Sequence, residues 1–520
     1  LTSALKSTNQ LKFPAHWISL ALFIITILTR LPFQSQYLYH WDSVNMAFGI
    51  SNFDVLNGAP QFPGYIVYIA LAQILNSFVN DHQTTMVIIS IISSGLAVVA
   101  MFYLGRDMFN PATGLIAALF IMTSPLVWFY GEIALPHTMD LFCIILSAWM
   151  LYRIMEGDHR WSWLVLTAIL LALVGGFRQQ DLLFLGPLIL FAIYRIGIVK
   201  FIAFGIVGFV VTVMWFVPLM QLSGGFQAYM DGSNRFTADF WNTTSLLRGA
   251  GITGLRRNLI SKLIPYTLYA WGLAILPTLY WLPEIPKQWR AWLMSRKFWF
   301  LALWVTPTLA FYIIIHMGQQ GLVFVFLPAL MLISAEGLYR LFLPRPGVMR
   351  TATTTIAIAG AAIFIVGPTY PLGASGPKLL TYSTLRENDQ LLANQIAAVR
   401  ENFAPENTLL LASSWRHIQY YLPEYQLSRF SLGSTWEVEA GQVLAADFVG
   451  QPLTANQLGL EAGKDWQVVI INSELWDLST TPLETIRLPN GFEMAYLPVK
   501  ADQTFLINET SFGIKPESSS

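Results

Sequence analysis

The sequence predicts a mainly helical membrane protein: a bundle of about 11 transmembrane helices, interfacial helices in the first outer loop, and a C-terminal extracytoplasmic domain of mixed α/β structure. Three observations carry this. Of 520 residues, 55% are hydrophobic and only 12% are charged, where a soluble domain carries roughly 25% Asp, Glu, Lys and Arg. Apolar runs long enough to cross a bilayer recur between Trp17 and Tyr370. Beyond Tyr370 they stop and polar loops take over.

The 30 basic and 30 acidic residues cancel, so charge gives no footprint for nucleic acid, and none is expected as a partner. The single cysteine, Cys143, lies inside an apolar run. One thiol excludes an intramolecular disulfide framework and a Cys-rich metal site.

A hydrocarbon core demands about 20 apolar residues per helix, because backbone groups inside it must satisfy one another. Eleven runs qualify: 16–33, 84–104, 112–130, 137–155, 161–177, 181–196, 199–220, 261–282, 298–316, 321–339 and 351–370. The first lacks a small-residue cleavage site and ends in TRLPF, so it reads as a retained span rather than a signal peptide. A twelfth candidate, FPGYIVYIALAQILNSFV (62–79), opens with Pro-Gly and carries Gln73 and Asn76. Charge sorting decides its status. If it does not cross and Lys6 and Lys12 are cytoplasmic, then Arg106, Arg153, Arg160, Arg195, Lys200, Lys287, Arg290, Arg340 and Arg345 all fall inside. Residues 34–83 hold no Lys or Arg and fall outside. This is the positive-inside pattern, and it makes 62–79 a re-entrant or interfacial helix; the alternative is an external N-terminus with both 16–33 and 62–79 crossing, which would put 34–61 in the cytoplasm.

The chain divides by composition into a membrane domain (1–370), a linker with an amphipathic helix (371–402) and a small extracytoplasmic domain (403–520). PLGASGPKLL is the linker, ENDQLLANQIAAVREN the helix, and PESSS a disordered tail. NTLLLASSW and DWQVVIINSEL read as buried strands.

With this topology, polar residues gather at the outer ends of the helices. His40, Asp42 and Asp54 lie in the first outer loop. WFYGEIALPHTMD supplies Glu132, His137 and Asp140, GGFRQQD supplies Arg178, Gln179 and Asp181, and IIIHMGQQG supplies His316 and Gln319. Ionisable groups at membrane depth are costly and mark candidate sites. Each has a plainer reading beside it. Asp42 is also a plausible first-turn charge on an interfacial helix, Asp54 a turn residue, Glu132 and Asp140 solvated loop charges, and His316 and Gln319 helix-end polar groups. Arg178 resists this, since a guanidinium in a tight connection between apolar helices needs an anion.

A carboxylate and an arginine at an outer membrane surface suit a lipid-linked phosphate donor. Arg178 would hold the phosphate of a polyprenyl phosphate-sugar and offset charge on the leaving group. Asp42 would take the proton from an acceptor hydroxyl, with Glu132 as a second catalytic acid. His40, His137, Asp140, Gln179, His316 and Gln319 would line the substrate site. The loop Gly224–Leu259 breaks the charge bias with Arg235, Arg248, Arg256 and Arg257, of which Arg256 and Arg257 would contact phosphate.

RLPF, WDSVNMAFGISNFD, FPGYIVYIAL, GRDMFNPATGLIAALFIMTSPLVWFYGE and GGFRQ follow one another between Leu28 and Pro187, with a weaker echo in 316–328. In this order they resemble the GT-C superfamily of polytopic membrane glycosyltransferases, specifically the branch related to protein O-mannosyltransferases and aminoarabinose transferases. The resemblance implies a GT-C-like bundle in the membrane of the cell envelope, Asp42 as the acceptor-activating base, a non-crossing helix after it, and Arg178 as a phosphate ligand. Asp42 is followed by Ser43 rather than a second acid, and QFPGY lacks the histidine of the family's turn. Region 371–520 does not resemble the appendage of the protein mannosyltransferases, so the acceptor stays open among glycan, lipid and protein. A transporter or flippase for a polar or lipid-linked glycan is the rival class, and a membrane-anchored binding protein a third. A metal-dependent oligosaccharyltransferase is a nearer variant. There Asp42, Glu132 and Asp140 would converge on a divalent cation such as magnesium or manganese.

Overall fold

The computed structural model describes residues 14–368, 379–430, 452–508 and 510–515. Lys6, Lys12, the linker's 371–378 and the PESSS tail lie outside the described residues. The chain forms two compact units. The first comprises residues 1–36 and 62–386, and the second comprises 37–61 and 387–520.

In the first unit all eleven apolar runs contain helix. Seven described helices are long and apolar enough to cross a membrane, or eight if Pro111–Thr123 and Pro125–Gly131, bent by 61°, make one span. The runs expected at 161–177, 181–196 and 321–339 form the shorter helices Trp161–Phe177, Gln179–Ile193 and Leu327–Phe342. The first two are cut apart at Arg178, whose backbone is extended. The 62–79 segment forms Ile66–Val79, 14 residues. At about 1.5 Å per residue that is roughly 21 Å, short of a hydrocarbon core.

Helix His82–Met108 is the hub and packs against Ala15–Arg30, Ile66–Val79, Pro111–Thr123 and His137–Met155. Its apolar window is 72% buried, whereas that of Ile198–Leu222 is 11% buried, so the latter turns most of its surface to lipid. One close approach uses two glycines. A Cβ on Gly114 would stand 2.5 Å from the Phe102 carbonyl, and one on Gly105 2.7 Å from the Gly114 Cα. Only hydrogen at these positions lets the two backbones cross so closely.

The second unit has the mixed α/β structure expected at 403–520, but its bounds differ from that expectation, since it also takes in 37–61 and 387–402. Its strands are β1 (Thr408–Ala412), β2 (Gln426–Arg429), β3 (Pro452–Leu453), β4 (Trp466–Ile470), β5 (Glu484–Arg487), β6 (Glu493–Val499), β7 (Phe505–Ile507) and β8 (Phe512–Ile514). The main sheet runs β2-β1-β4-β6-β5, and a small sheet runs β3-β7-β8. β1 pairs in parallel with β2 and β4; β6 is antiparallel to both β4 and β5. Alternation along the strands splits the core in two. Leu409 and Leu411 join Val468, Ile470 and Phe505 on one face, while Leu410 and Ala412 join Val469, Val399 and Trp415 on the other. Burial on both faces is why β1 reads as an unbroken apolar run in NTLLLASSW.

The segment 37–61 belongs to this second unit. It contains helix Trp41–Ser51, capped at its start by His40, and the turn Val55–Asn57. Asp54 accepts from the Asn57 backbone N–H at 3.3 Å and from its Nδ2 at 2.7 Å. It is a turn residue.

Candidate active site

Asp42 sits in the first turn of helix Trp41–Ser51. Its backbone N–H donates to His40 Nδ1 at 3.0 Å, so Nδ1 is bare and the neutral imidazole carries its proton on Nε2. The Asp42 carboxylate lies 3.8 Å from the same nitrogen and keeps 24% of its side chain exposed. A carboxylate that solvent or an acceptor can reach is the kind of group a general base requires.

In the first unit the other expected acids are sealed. Glu132 follows helix Pro125–Gly131 and is fully buried against fully buried Arg30, 3.9 Å away. Arg30 Nη2 donates to the Met122 carbonyl at 2.7 Å, and its guanidinium lies 4.1 Å over the Trp128 ring. Asp140 Oδ2 lies 3.6 Å from Arg178 Nη1, with both side chains buried. Asp181, three residues after Arg178 in the first turn of helix Gln179–Ile193, is 1% exposed, and Tyr312 also acts electrostatically on Arg178. Arg178 therefore has anions from its own chain, from helices His137–Met155 and Gln179–Ile193. Gln179 Nε2 donates to Tyr229 Oη at 3.1 Å, which in turn donates to the Pro63 carbonyl. Sequence reasoning missed Arg30 and Asp181 as partners. Both were in view, in TRLPF and GGFRQQD, but nothing local says which acid each meets.

His137 and Gln319 do come together, with Nε2 2.8 Å from Oε1. The His137 ring lies edge-on to Tyr130 at 4.7 Å. Gly321 makes room for it, since a Cβ there would be 2.5 Å from the ring.

The remaining cluster is cationic. His316 Nδ1 is 3.0 Å from Thr244 Oγ1. Arg257 and Lys262 act electrostatically on the imidazole. Arg257 and Lys262 are half-buried and share a π-helical segment, Arg257–Leu263. Such a wound-out turn is frequent at functional sites. Arg257 Nη1 donates to Asn258 Oδ1 at 3.0 Å and to the Met317 carbonyl at 3.3 Å, both neutral acceptors. The groups that act electrostatically on these two cations are each other and Tyr266; no carboxylate among the described residues does so. Arg256 is exposed. Lys262 was not singled out by sequence, because one lysine in an apolar stretch looks like a snorkelling end.

Among the described residues no group of three or more His, Cys, Asp or Glu side chains is placed to hold an ion. Glu132 and Asp140 face the guanidiniums of Arg30 and Arg178 instead.

The fold places the chain in a class. It has the fold of the GT-C membrane glycosyltransferases, which the motif order between Leu28 and Pro187 resembles. Residues 63–220 match the family described as dolichyl-phosphate-mannose-protein mannosyltransferase. The structure is similar to ArnT from Cupriavidus metallidurans bound to undecaprenyl phosphate, with a TM-score of 0.59 and 12% identity over 94% of this chain and 98% of that one. It is similar to the apo state of the same protein at 0.58 and 12%, over 93% and 98%. The oligosaccharyltransferase from Archaeoglobus fulgidus in its apo form gives 0.51 and 11%, over 96% of this chain and 75% of that one. No curated protein sequence matches the chain significantly. At these identities the likeness is one of fold. With its apolar helices it makes the chain a multi-pass membrane protein.

Proposed function

We propose that this protein moves a sugar from a polyprenyl-phosphate-linked donor to an acceptor hydroxyl on the extracytoplasmic face. The observation that carries this reading is the pair Arg257 and Lys262, two half-buried cations that both act electrostatically on His316, with no described carboxylate acting on them. A half-buried cation pair left without an internal anion is built for an external one, and a phosphate monoester or diester is the anion that guanidinium and ammonium hold best. ArnT, similar in fold, binds undecaprenyl phosphate.

In the proposed reaction the acceptor oxygen attacks the anomeric carbon as the carbon–oxygen bond to phosphate breaks. The Asp42 carboxylate takes the hydroxyl proton, and polyprenyl phosphate departs with the electron pair. Arg257 and Lys262 stabilise the charge gathering on the departing phosphate. One displacement inverts the anomeric centre. The phosphate role assigned to Arg178 from sequence passes to this pair, because Arg178 is already engaged by Asp140 and Asp181.

The test uses purified protein and a panel of undecaprenyl phosphate-linked hexoses and pentoses labelled in the sugar, followed by transfer or slow hydrolysis. Asp42→Asn is expected to reduce turnover at least about 100-fold, in the range of a positioned general base, while still binding donor. Wild-type turnover in this variant would remove the base, and no binding of any panel member would remove the transferase reading.

A further inference from the structure

We propose that helix Trp415–Tyr421 of the C-terminal domain is a positioning element for Asp42, which makes that domain part of the catalytic apparatus. This rests on the assignment of Asp42 as the base.

The helix uses three faces. Trp415, Ile418 and the following Leu422 are buried in the core beneath the main sheet and fix the helix to β1 and β4. Residues i and i+4 lie one above the other on a helix surface, which sets up two further ridges, and both grip the 37–61 segment. On one, His417 Nε2 lies 3.0 Å from the Leu38 carbonyl oxygen and Tyr421 Oη accepts the Leu38 backbone N–H at 2.7 Å. A carbonyl only accepts, so His417 carries its proton on Nε2 and donates. Leu38, four residues before Asp42, is thus held at both backbone groups and is wholly buried. On the other ridge, Tyr420 meets the Phe48 ring at 5.5 Å. Arg416 lies 5.3 Å over the same ring and donates through Nη2 to the Asn57 carbonyl at 2.6 Å. At the start of the catalytic helix, Trp41 packs edge-on to Trp415 at 5.1 Å.

The grip therefore contacts the chain on both sides of Asp42, at 38, 41, 48 and 57. Arg416 is 5% exposed, and its hydrogen bonds in the second unit go to the Asn57 carbonyl and the Gln419 side chain at 3.1 Å, with two aromatic faces around it. A buried guanidinium used to hold backbone and rings spends its charge on placement. Without it, helix Trp41–Ser51 has 11 residues, too few to stay formed alone in water. Catalysis by a base is sensitive to displacement of about 1 Å, at a cost near 100-fold.

The experiment measures hydrogen exchange of amides 43–51 together with turnover of the labelled undecaprenyl phosphate-sugar panel, on the full chain in detergent. Arg416→Ala and His417→Leu are expected to speed exchange at least about 10-fold and to lower kcat about 10- to 100-fold with donor KM unchanged. His417→Gln, whose amide reaches Leu38 as Nε2 does, restores both. Lys500→Ala, at an exposed pair with Asp465, changes neither. If Arg416→Ala does not fold, the Leu and Gln variants of His417 carry the comparison alone. Unchanged exchange in the destabilised variants overturns the proposal, as does faster exchange with wild-type kcat while Asp42→Asn is inactive. Wild-type turnover in Asp42→Asn is a separate failure: it removes the base itself, and with it the purpose of the grip.

Discussion

Arg178 and Arg257 look alike in the sequence, each an arginine at the predicted outer end of an apolar helix, yet the structure treats them oppositely. Arg178 is 7% exposed and lies against Asp140, with Asp181 one turn away. Arg257 is half-buried, and among the described residues it bonds neutral acceptors and has Lys262 rather than a carboxylate as its charged neighbour. The same contrast separates Glu132, fully buried on Arg30, from Asp42, which keeps 24% of its side chain in reach of solvent. A buried charge with an internal partner holds the fold together. A half-buried charge whose neighbours repel it is poised for something that arrives from outside.

The largest expected effect comes from the sealed side. Arg30→Met leaves Glu132 buried without its cation, a change worth about 3–5 kcal/mol in stability, read as a lowered Tm of the detergent-solubilised protein. Glu132→Gln with Arg30→Met together should recover much of the loss, since removing both charges is close to neutral. If Arg30→Met were as stable as wild type, the pair would not be structural and the contrast with Arg257 would fail.

On the open side, Arg257→Ala with Lys262→Ala should weaken binding of undecaprenyl phosphate by about 100-fold or about 3 kcal/mol, two charge-assisted contacts at roughly 1.5 kcal/mol each. The Tm should move little. Binding should also lose most of its salt dependence, since exposed and half-exposed charges are what salt screens. A double variant that binds the phosphate like wild type, or that unfolds like Arg30→Met, would place Arg257 with Arg178 after all.

Acid should distinguish the two units. Burial, the dominant cause, with His40 adding to it, pushes the His417 imidazole down to about 4, partly opposed by the Leu38 carbonyl. The unfolded imidazole, near 6.5, takes up a proton first. Stability from this group is complete above pH 6.5 and falls as pH drops toward 4, by about 3 kcal/mol at 1.36 kcal/mol per pH unit. Exchange of amides 43–51 measured from pH 7 to pH 4.5, corrected for intrinsic rates, should accelerate. His417→Gln, which cannot titrate, should flatten the profile. A flat wild-type profile would mean that His417 does not control the hold on Leu38.

The helical character of all eleven apolar runs, the short helix Ile66–Val79, the turn role of Asp54 and two core strands of the second unit were readable from sequence, whereas the reduction of eleven expected spans to seven or eight was not. Each readable feature rests on local facts: hydropathy over one window, alternation over five residues, a side chain reaching its neighbour's amide. Pairings across the chain were not readable. Arg30 meets Glu132, Arg178 meets Asp140, and Leu38 is held by His417 and Tyr421. Hydrophobic patterning says that these charges need partners without saying which. Lys262 was missed for a related reason, because its significance lies in sharing His316 with Arg257.

The smallest effect concerns a residue with no charge at all. Gly321 leaves space for the His137 ring, and a Cβ there would come within 2.5 Å of it. Gly321→Ala should cost about 1–3 kcal/mol by overpacking and should pull His137 from Gln319. Because the His137–Gln319 hydrogen bond joins two groups that carry no formal charge at neutral pH, donor phosphate binding should stay near wild type while Tm drops. If phosphate binding fell with it, His137–Gln319 would have to be joined to the open cluster, and the division between sealed and open polar groups would need a third class, neutral groups that shape the site without carrying its charge.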